Sequence, residues 1–197
     1  MTGSGVARGR ELPRKTLHLL TASVPLGLWA GVPQRAVAAV LVALFGVACG
    51  VEVARRHSRS VATHFNALFG RMLRPHESMR VTGATWLLAA MSLACLTAPH
   101  PAAIAATWAG AVGDGAATVA GRAWRGVRPG TGKSLAGSLA CMVVTALGAW
   151  WLAGYSALSA AAIGAVAALA ERPAGGVDDN LRVTLAAALA AALVLPR

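Results

Sequence analysis

An all-α, polytopic integral membrane protein is the fold class this sequence predicts, and three observations predict it. The chain of 197 residues is 56% hydrophobic and only 13% charged, with a mean hydropathy of +0.60; soluble domains carry about 25% charged residues, so polar groups are too few to cover a water-facing surface. The apolar residues fall into runs of near membrane-spanning length, closed by proline, glycine or arginine. The basic residues gather in alternate connections between those runs. The same composition excludes a disordered chain, a collagen and a disulfide scaffold. The net charge of +11 and pI near 11.5 raise the prospect of a nucleic-acid partner, but basic loops between apolar runs give no nucleic acid and a lipid bilayer instead.

Seven spans are expected, with a short surface helix between the second and third. They cover about 16–32, 36–52, 81–98, 101–121, 134–153, 156–171 and 179–195. Pro33, the Pro99 and Pro101 pair, and Gly154 punctuate them. Residues 1–15 are expected to form a basic cytoplasmic N-terminus and 16–197 a single membrane-embedded domain. Further spans follow the first run and no convincing small-residue cleavage site precedes them, so the first helix is expected to be retained rather than removed as a signal peptide. Between spans two and three, Phe65, Leu68, Phe69, Met72 and Leu73 recur at helical spacing among arginines, the pattern of a helix lying on a membrane surface. Cys49, Cys95 and Cys141 sit within apolar runs without paired spacing, which gives neither a disulfide frame nor a zinc site.

Counting Lys and Arg by connection puts 16 of 18 on one side. The N-terminus is therefore expected in the cytoplasm and the C-terminus outside. Trp29, Trp86, Trp124, Trp150 and Trp151 fall near the expected interfaces, as an aromatic belt does.

The seven carboxylates are Glu11, Glu52, Glu77, Asp114, Glu171, Asp178 and Asp179, and all map to the cytoplasmic side or the cytoplasmic half of a span. Clustered acids on a basic background suit a site that binds a polyanion through cations and metal. Asp114 lies inside span four, flanked by Gly113 and Gly115. An ionised carboxylate at that depth costs a few kcal/mol and needs a partner, either a neighbouring arginine or a ligand. Gly110, Gly113, Ala117 and Gly121 make a small-residue stripe that lets another helix approach.

Gly132-Lys133-Ser134 has the end of a P-loop, but Val127 stands where the first glycine belongs. What is left is a glycine-rich basic loop with Arg122, Arg125, Arg128 and Lys133, opening a helix at Ser134 with Gly137 and Ser138 below it. Helix N-termini and basic side chains bind phosphate without a P-loop. Arg14, Lys15 and His18 cluster at the mouth of span one, and Glu171 with Asp178, Asp179 and Asn180 brackets the turn before span seven. Glu52 and Arg55 stand one turn apart, where they can pair with each other.

Taken in order, Arg14-Lys15-x-x-His18, Glu52-x-x-Arg55, Gly113-Asp114-Gly-x-Ala117-x-x-x-Gly121-Arg122, Lys133-Ser134-x-x-Gly137-Ser138 and Glu171 with Asp178-Asp179-Asn180-Leu181 resemble the phytol kinase and dolichol kinase family of polytopic membrane enzymes. The resemblance covers about residues 11–184. It lies closer to the phytol kinase branch, since Ala136 stands where dolichol kinases tend to have Glu; Thr184 departs from the proline usual in phytol kinases. It implies a kinase-like domain that uses CTP to phosphorylate a membrane lipid alcohol. The implied Mg²⁺ would sit on Asp114 with Asp178 or Asp179, and with Glu171 beside them. The triphosphate would lie on Arg14, Lys15, Arg122 and Lys133, near Ser134, Gly137 and Asn180. Asp114, His18, Lys133 and Asp178 would carry the chemistry, His18 orienting the phosphates or the alcohol.

Three other activities stay open at this level: phosphorylation of diacylglycerol, CTP-dependent cytidylyl transfer to phosphatidate, and small-molecule transport. For the expected topology, a reporter at residue 128 should read as cytoplasmic and one near Pro99 as external. A tag at 128 accessible only from outside rejects the orientation.

Overall fold

The computed structural model describes residues 20–70, 73, 80–124, 133–172 and 176–194. Within them all regular structure is helical. The expected first span is seen as helix α1 (Ser23–Trp29), with Pro25 in its first turn, where the missing N–H costs no bond. Its end is a Schellman motif: the Val32 amide donates to the Gly27 carbonyl at 2.9 Å and that of Gly31 to Leu28 at 3.1 Å. Gly31 takes φ 90 there, a conformation that needs glycine. Pro33 then stops the helix.

Helix α2 (Gln34–His57) has 24 residues, about 36 Å of rise, and among the described helices it is the one both long and apolar enough to cross a membrane. Ser58, in extended backbone, caps helix α3 (Arg59–Phe69) by accepting from the Val61 amide. This is a helix where the surface helix is expected, ending at Phe69; Met72 lies outside the described residues. Helix α4 (Gly83–Thr97) follows.

The expected fourth span is one continuous rod that changes hydrogen bonding on the way. Helix α5 (His100–Trp108) runs through a π turn (Ala109–Gly113) into helix α6 (Asp114–Ala123), with right-handed helical backbone at each junction. Helices α7 (Leu135–Trp151), α8 (Ala157–Glu171) and α9 (Asp179–Leu193) are helical where the last three spans are expected, each shorter than 18 residues and opened by a side-chain cap from Ser134, Ser156 and Asp178. Alanine builds these helices well and lets them pack closely.

The α5–α6 rod is central. It packs against α1, α4, α7 and α9, while α8 lies along α7 and α9, and α2 flanks α4. Much of the buried core is alanine, with Leu28, Met91, Ile163, Val183 and Tyr155 as its larger members. Polar links tie the bundle at its two ends. At one end Gln34 donates to the carbonyls of Cys95 and Ala98, both at 2.9 Å, and the Tyr155 hydroxyl donates to Ala191 at 2.8 Å. The opposite end gathers the C-termini of α2, α6 and α8 with the N-termini of α4, α7 and α9.

Of the tryptophans, Trp29, Trp124, Trp150 and Trp151 are exposed. Trp108 instead turns inward, where its indole N–H donates to Val144 at 2.9 Å and its ring lies on Gly148. A Gly148→Ala methyl would overlap that ring, so the variant should lose about 1–3 kcal/mol of stability. Gly46→Ala, on an open face of α2 with nothing near its added methyl, should gain about 0.5–1 kcal/mol. Thermal unfolding in detergent reads both; equal melting temperatures for the two variants would refute the packing of Trp108 on Gly148.

Candidate functional site

Three helix ends meet at one ammonium group. Lys133, just before α7, reaches Glu171 at the end of α8 (2.7 Å) and Asp179 at the start of α9 (3.0 Å). Glu171 is buried and Asp179 half-buried, with side-chain exposures of 5% and 11%, against 31% for the lysine. Ser138 Oγ, one turn into α7, donates to the second Glu171 oxygen at 3.2 Å. Burial disfavours the lysine's charge, yet the charges of Asp179 and Glu171 and their hydrogen bonds outweigh it and hold the Lys133 pKa above the ordinary 10.5.

Beside this group, Asp178 caps α9. Its Oδ1 accepts from the Asn180 amide at 3.0 Å and from Asn180 Nδ2 at 2.8 Å. The same Nδ2 donates to the Gly83 carbonyl at 3.2 Å. Two acceptors on Nδ2 set the orientation of the Asn180 amide and leave its buried Oδ1 without a donor. Gly83 is positioned in turn by Glu52, whose carboxylate accepts from the Thr82 amide at 2.8 Å and from Thr85 at 3.4 Å. Arg55 completes that group, bonding to Glu52 at 2.8 Å and also to the Arg80 carbonyl. Glu52 and Arg55 thus pair with each other, as their spacing allows, and additionally clamp α2 to the start of α4.

The small stripe of α6 faces α7 and α9. A Cβ on Gly113 would stand 2.5 Å from Thr145 Oγ1, and one on Gly121 2.8 Å from Ser134 Oγ. Gly110 meets Thr184 in the same way. Gly137 has the reciprocal role from α7, where a Cβ would come within 2.8 Å of the Ala117 carbonyl. Ser134 Oγ is the helix cap, accepting from Gly137 N at 3.0 Å. Asp114 is buried at 3% exposure directly after the π turn. It lies seven residues before Gly121, which is about 10 Å deeper along the rod. Arg122 is exposed in the last turn of α6, where its charge complements the helix dipole.

The residues singled out from sequence are therefore distributed in three ways. Lys133, Ser134, Glu171, Asp179, Asp178 and Asn180 meet at the junction of α7, α8 and α9, while Asp114 and Arg122 occupy the two ends of α6. Arg14, Lys15 and His18 lie outside the described residues, as do Arg125 and Arg128. Sequence reasoning passed over Thr82, Thr85 and Thr145, and noted Thr184 only as a departure from the family pattern; all four are buried. The available signal was a lone hydroxyl residue in an otherwise apolar run, which in a helix bundle marks a polar contact between helices.

Among the described residues no three His, Cys, Asp or Glu side chains come close enough together to hold a metal ion. A magnesium–nucleotide site asks for less: one or two carboxylates, with waters and phosphate oxygens completing the shell. Asp178 or Asp179 with the donorless Asn180 Oδ1 fits that demand in donor chemistry. No family model, curated protein or solved structure matches the chain.

Removing the shared ammonium in Lys133→Met leaves Glu171 and Asp179 without it, and should cost about 3 kcal/mol. Because the folded pKa is raised, the lysine's contribution is fully present below about 10.5 and is lost as pH rises through the higher folded value. Melting temperatures across alkaline pH check this: the wild type should lose its advantage over Lys133→Met there. An advantage unchanged by pH would refute the buried charge assignment.

Proposed function

We propose that this chain is a polytopic membrane enzyme that transfers the γ-phosphoryl group of CTP to the hydroxyl of a membrane isoprenoid alcohol of the phytol, geranylgeraniol or polyprenol type. It would be integral to the cytoplasmic membrane, with its N-terminus and site on the cytoplasmic side. The observation that carries this reading is the meeting of Lys133, Glu171, Asp179 and Asn180 at one end of a bundle whose outer surface is apolar. Val40, Val47, Leu139, Leu147, Leu158, Leu169, Leu189 and Leu193 are exposed, whereas Thr107, Thr145, Thr184 and Asn180 are buried. Such an outer surface suits lipid. The choice of CTP and of an isoprenoid alcohol comes from the resemblance to the phytol and dolichol kinases.

Phosphoryl transfer depends chiefly on positioning and on neutralising charge at the transferred group. In this reading Lys133, Arg122, Arg14 and Lys15 hold the triphosphate, with Ser134 and the α7 N-terminus beneath it. Asp178 or Asp179 with Asn180 Oδ1 would hold Mg²⁺, which when bound supplies positive charge against the phosphates; the resemblance adds Asp114, which lies deeper along α6, and Glu171, whose oxygens are taken by Lys133 and Ser138. His18 orients the phosphates or the alcohol. The acceptor hydroxyl enters between helices at the level of Asp114. Its oxygen bonds to the γ-phosphorus as the bond from that phosphorus to the bridging oxygen breaks, CDP leaves, and the hydroxyl proton is released.

Purified protein given labelled CTP and a lipid alcohol should move label from the γ-phosphate into lipid. Label arriving from the α-phosphate would establish cytidylyl transfer instead; γ-label in diacylglycerol alone would move the acceptor. Asp114→Asn keeps side-chain size while removing the charge, and should lower activity by about 10²-fold or more. Arg125→Ala should change it little. Equal activity of Asp114→Asn and wild type, both folded and membrane-inserted, would overturn the role of Asp114.

A further inference from the structure

We propose that α3 is an element for recognising anionic lipid, its apolar face lying at the boundary between headgroups and acyl chains, with Arg56 and Arg59 holding acidic headgroups. This rests on the membrane-embedded part of the reading above and is independent of the reaction catalysed. The first observation is position. The long apolar helix α2 ends at His57, the chain turns at the extended residue Ser58, and α3 begins at Arg59. A helix that starts where a spanning helix leaves the hydrocarbon begins at the interface.

The second is the shape of the helix. At 100° per residue, Val61, Phe65, Leu68 and Phe69 fall on one stripe, with Arg59, Thr63 and Asn66 on the other side. None of the α3 residues is buried within the protein. Leu68 is 72% exposed and Phe69 40%, and the Phe65 and Phe69 rings pack on each other at 5.1 Å, tilted by 44°. Arg55, held by Glu52, sets its guanidinium 5.1 Å from the Phe65 ring centre. That contact ties the helix to the end of α2 while leaving Leu68 and Phe69 uncovered.

The third is charge. From residue 53 to 70 the chain carries Arg55, Arg56 and Arg59 and neither Asp nor Glu. Arg55 is buried against Glu52, but the Arg56 side chain is 46% exposed and only 3.8 Å from that carboxylate at its nearest, and Arg59 is exposed. An apolar stripe with arginines on the polar side at the head of the helix complements an acidic lipid surface, because long arginine side chains reach back to the headgroup level. The same charges oppose a second copy of this face.

The test is hydrogen exchange of the α3 amides in the full-length protein, reconstituted into nanodiscs of phosphatidylcholine alone or with about a third phosphatidylglycerol. Exchange should be about fivefold slower, or more, in the anionic discs, the factor expected for each arginine drawn to an acidic surface. Arg56→Gln with Arg59→Gln should remove that difference and keep the zwitterionic rate. Leu68→Asp should speed exchange in both disc types. The α4 and α7 amides serve as internal controls and should not respond to lipid charge. Equal α3 rates in the two disc types, or a slowing that persists in the double arginine variant, would overturn the proposal. A chain that fails to enter either disc would overturn the membrane reading as well, whereas loss of kinase activity alone would leave this inference standing.

Discussion

The ammonium of Lys133 is shared by Glu171 and Asp179, carboxylates brought from the ends of two other helices, and the geometry of that end of the bundle depends on this sharing. Two largely buried carboxylates at close range repel one another and resist burial. One cation between them relieves both costs and holds the start of α7 against the end of α8 and the start of α9. Ser138 takes up a remaining lone pair of Glu171. The two carboxylates are largely withdrawn from water, so screening of this group by salt is weaker than for an exposed pair.

Close approach of the helices makes this meeting possible. Along α6 and the π turn before it, glycines face hydroxyl side chains at Gly110 with Thr184, Gly113 with Thr145, and Gly121 with Ser134. Each hydroxyl occupies the space a methyl group would take. The central rod therefore cannot move relative to α7 and α9 without losing contacts along its length, and Asp114 is held at a defined depth below the ionic cluster. A further chain of hydrogen bonds, from Glu52 through Thr82 and Gly83 to Asn180, carries the placement of α9's first turn back to the end of α2. Arg55 belongs to this chain and also touches Phe65 of α3, so the surface helix and the cluster share one scaffold.

Much of this organisation was legible in the residues. Apolar runs between Pro33, Pro99 and Gly154 marked the helices to within a few residues, because a helix can neither continue through a proline nor avoid ending where glycine reverses the chain. The spacing of Phe65, Leu68 and Phe69 marked the amphipathic helix. The rarity of carboxylates drew attention to Asp114, Glu171, Asp178 and Asp179, and three of them meet or adjoin at one bundle end. The π turn was not legible: it replaces one hydrogen-bond pattern by another with no change in composition, at a place where α7 and α9 pack against it. Nor was the inward turn of Trp108, whose bond to the Val144 carbonyl joins residues 36 apart in the chain.

By itself, then, the sequence determined where helices begin and end, which stretches are apolar, and which end of each helix carries charge, since these follow from local propensity and from the spacing of residue types. Only the tertiary structure decided which charges meet. Lys133 could have answered Asp114, Glu171 or Asp179 as far as spacing is concerned, and it answers the last two because α8 and α9 pack side by side, with α7 along α8. It also decided that Gly137 serves helix packing and that Glu52 positions a neighbouring backbone. Those outcomes depend on contacts between residues 30 to 97 apart in the chain, which no local pattern encodes.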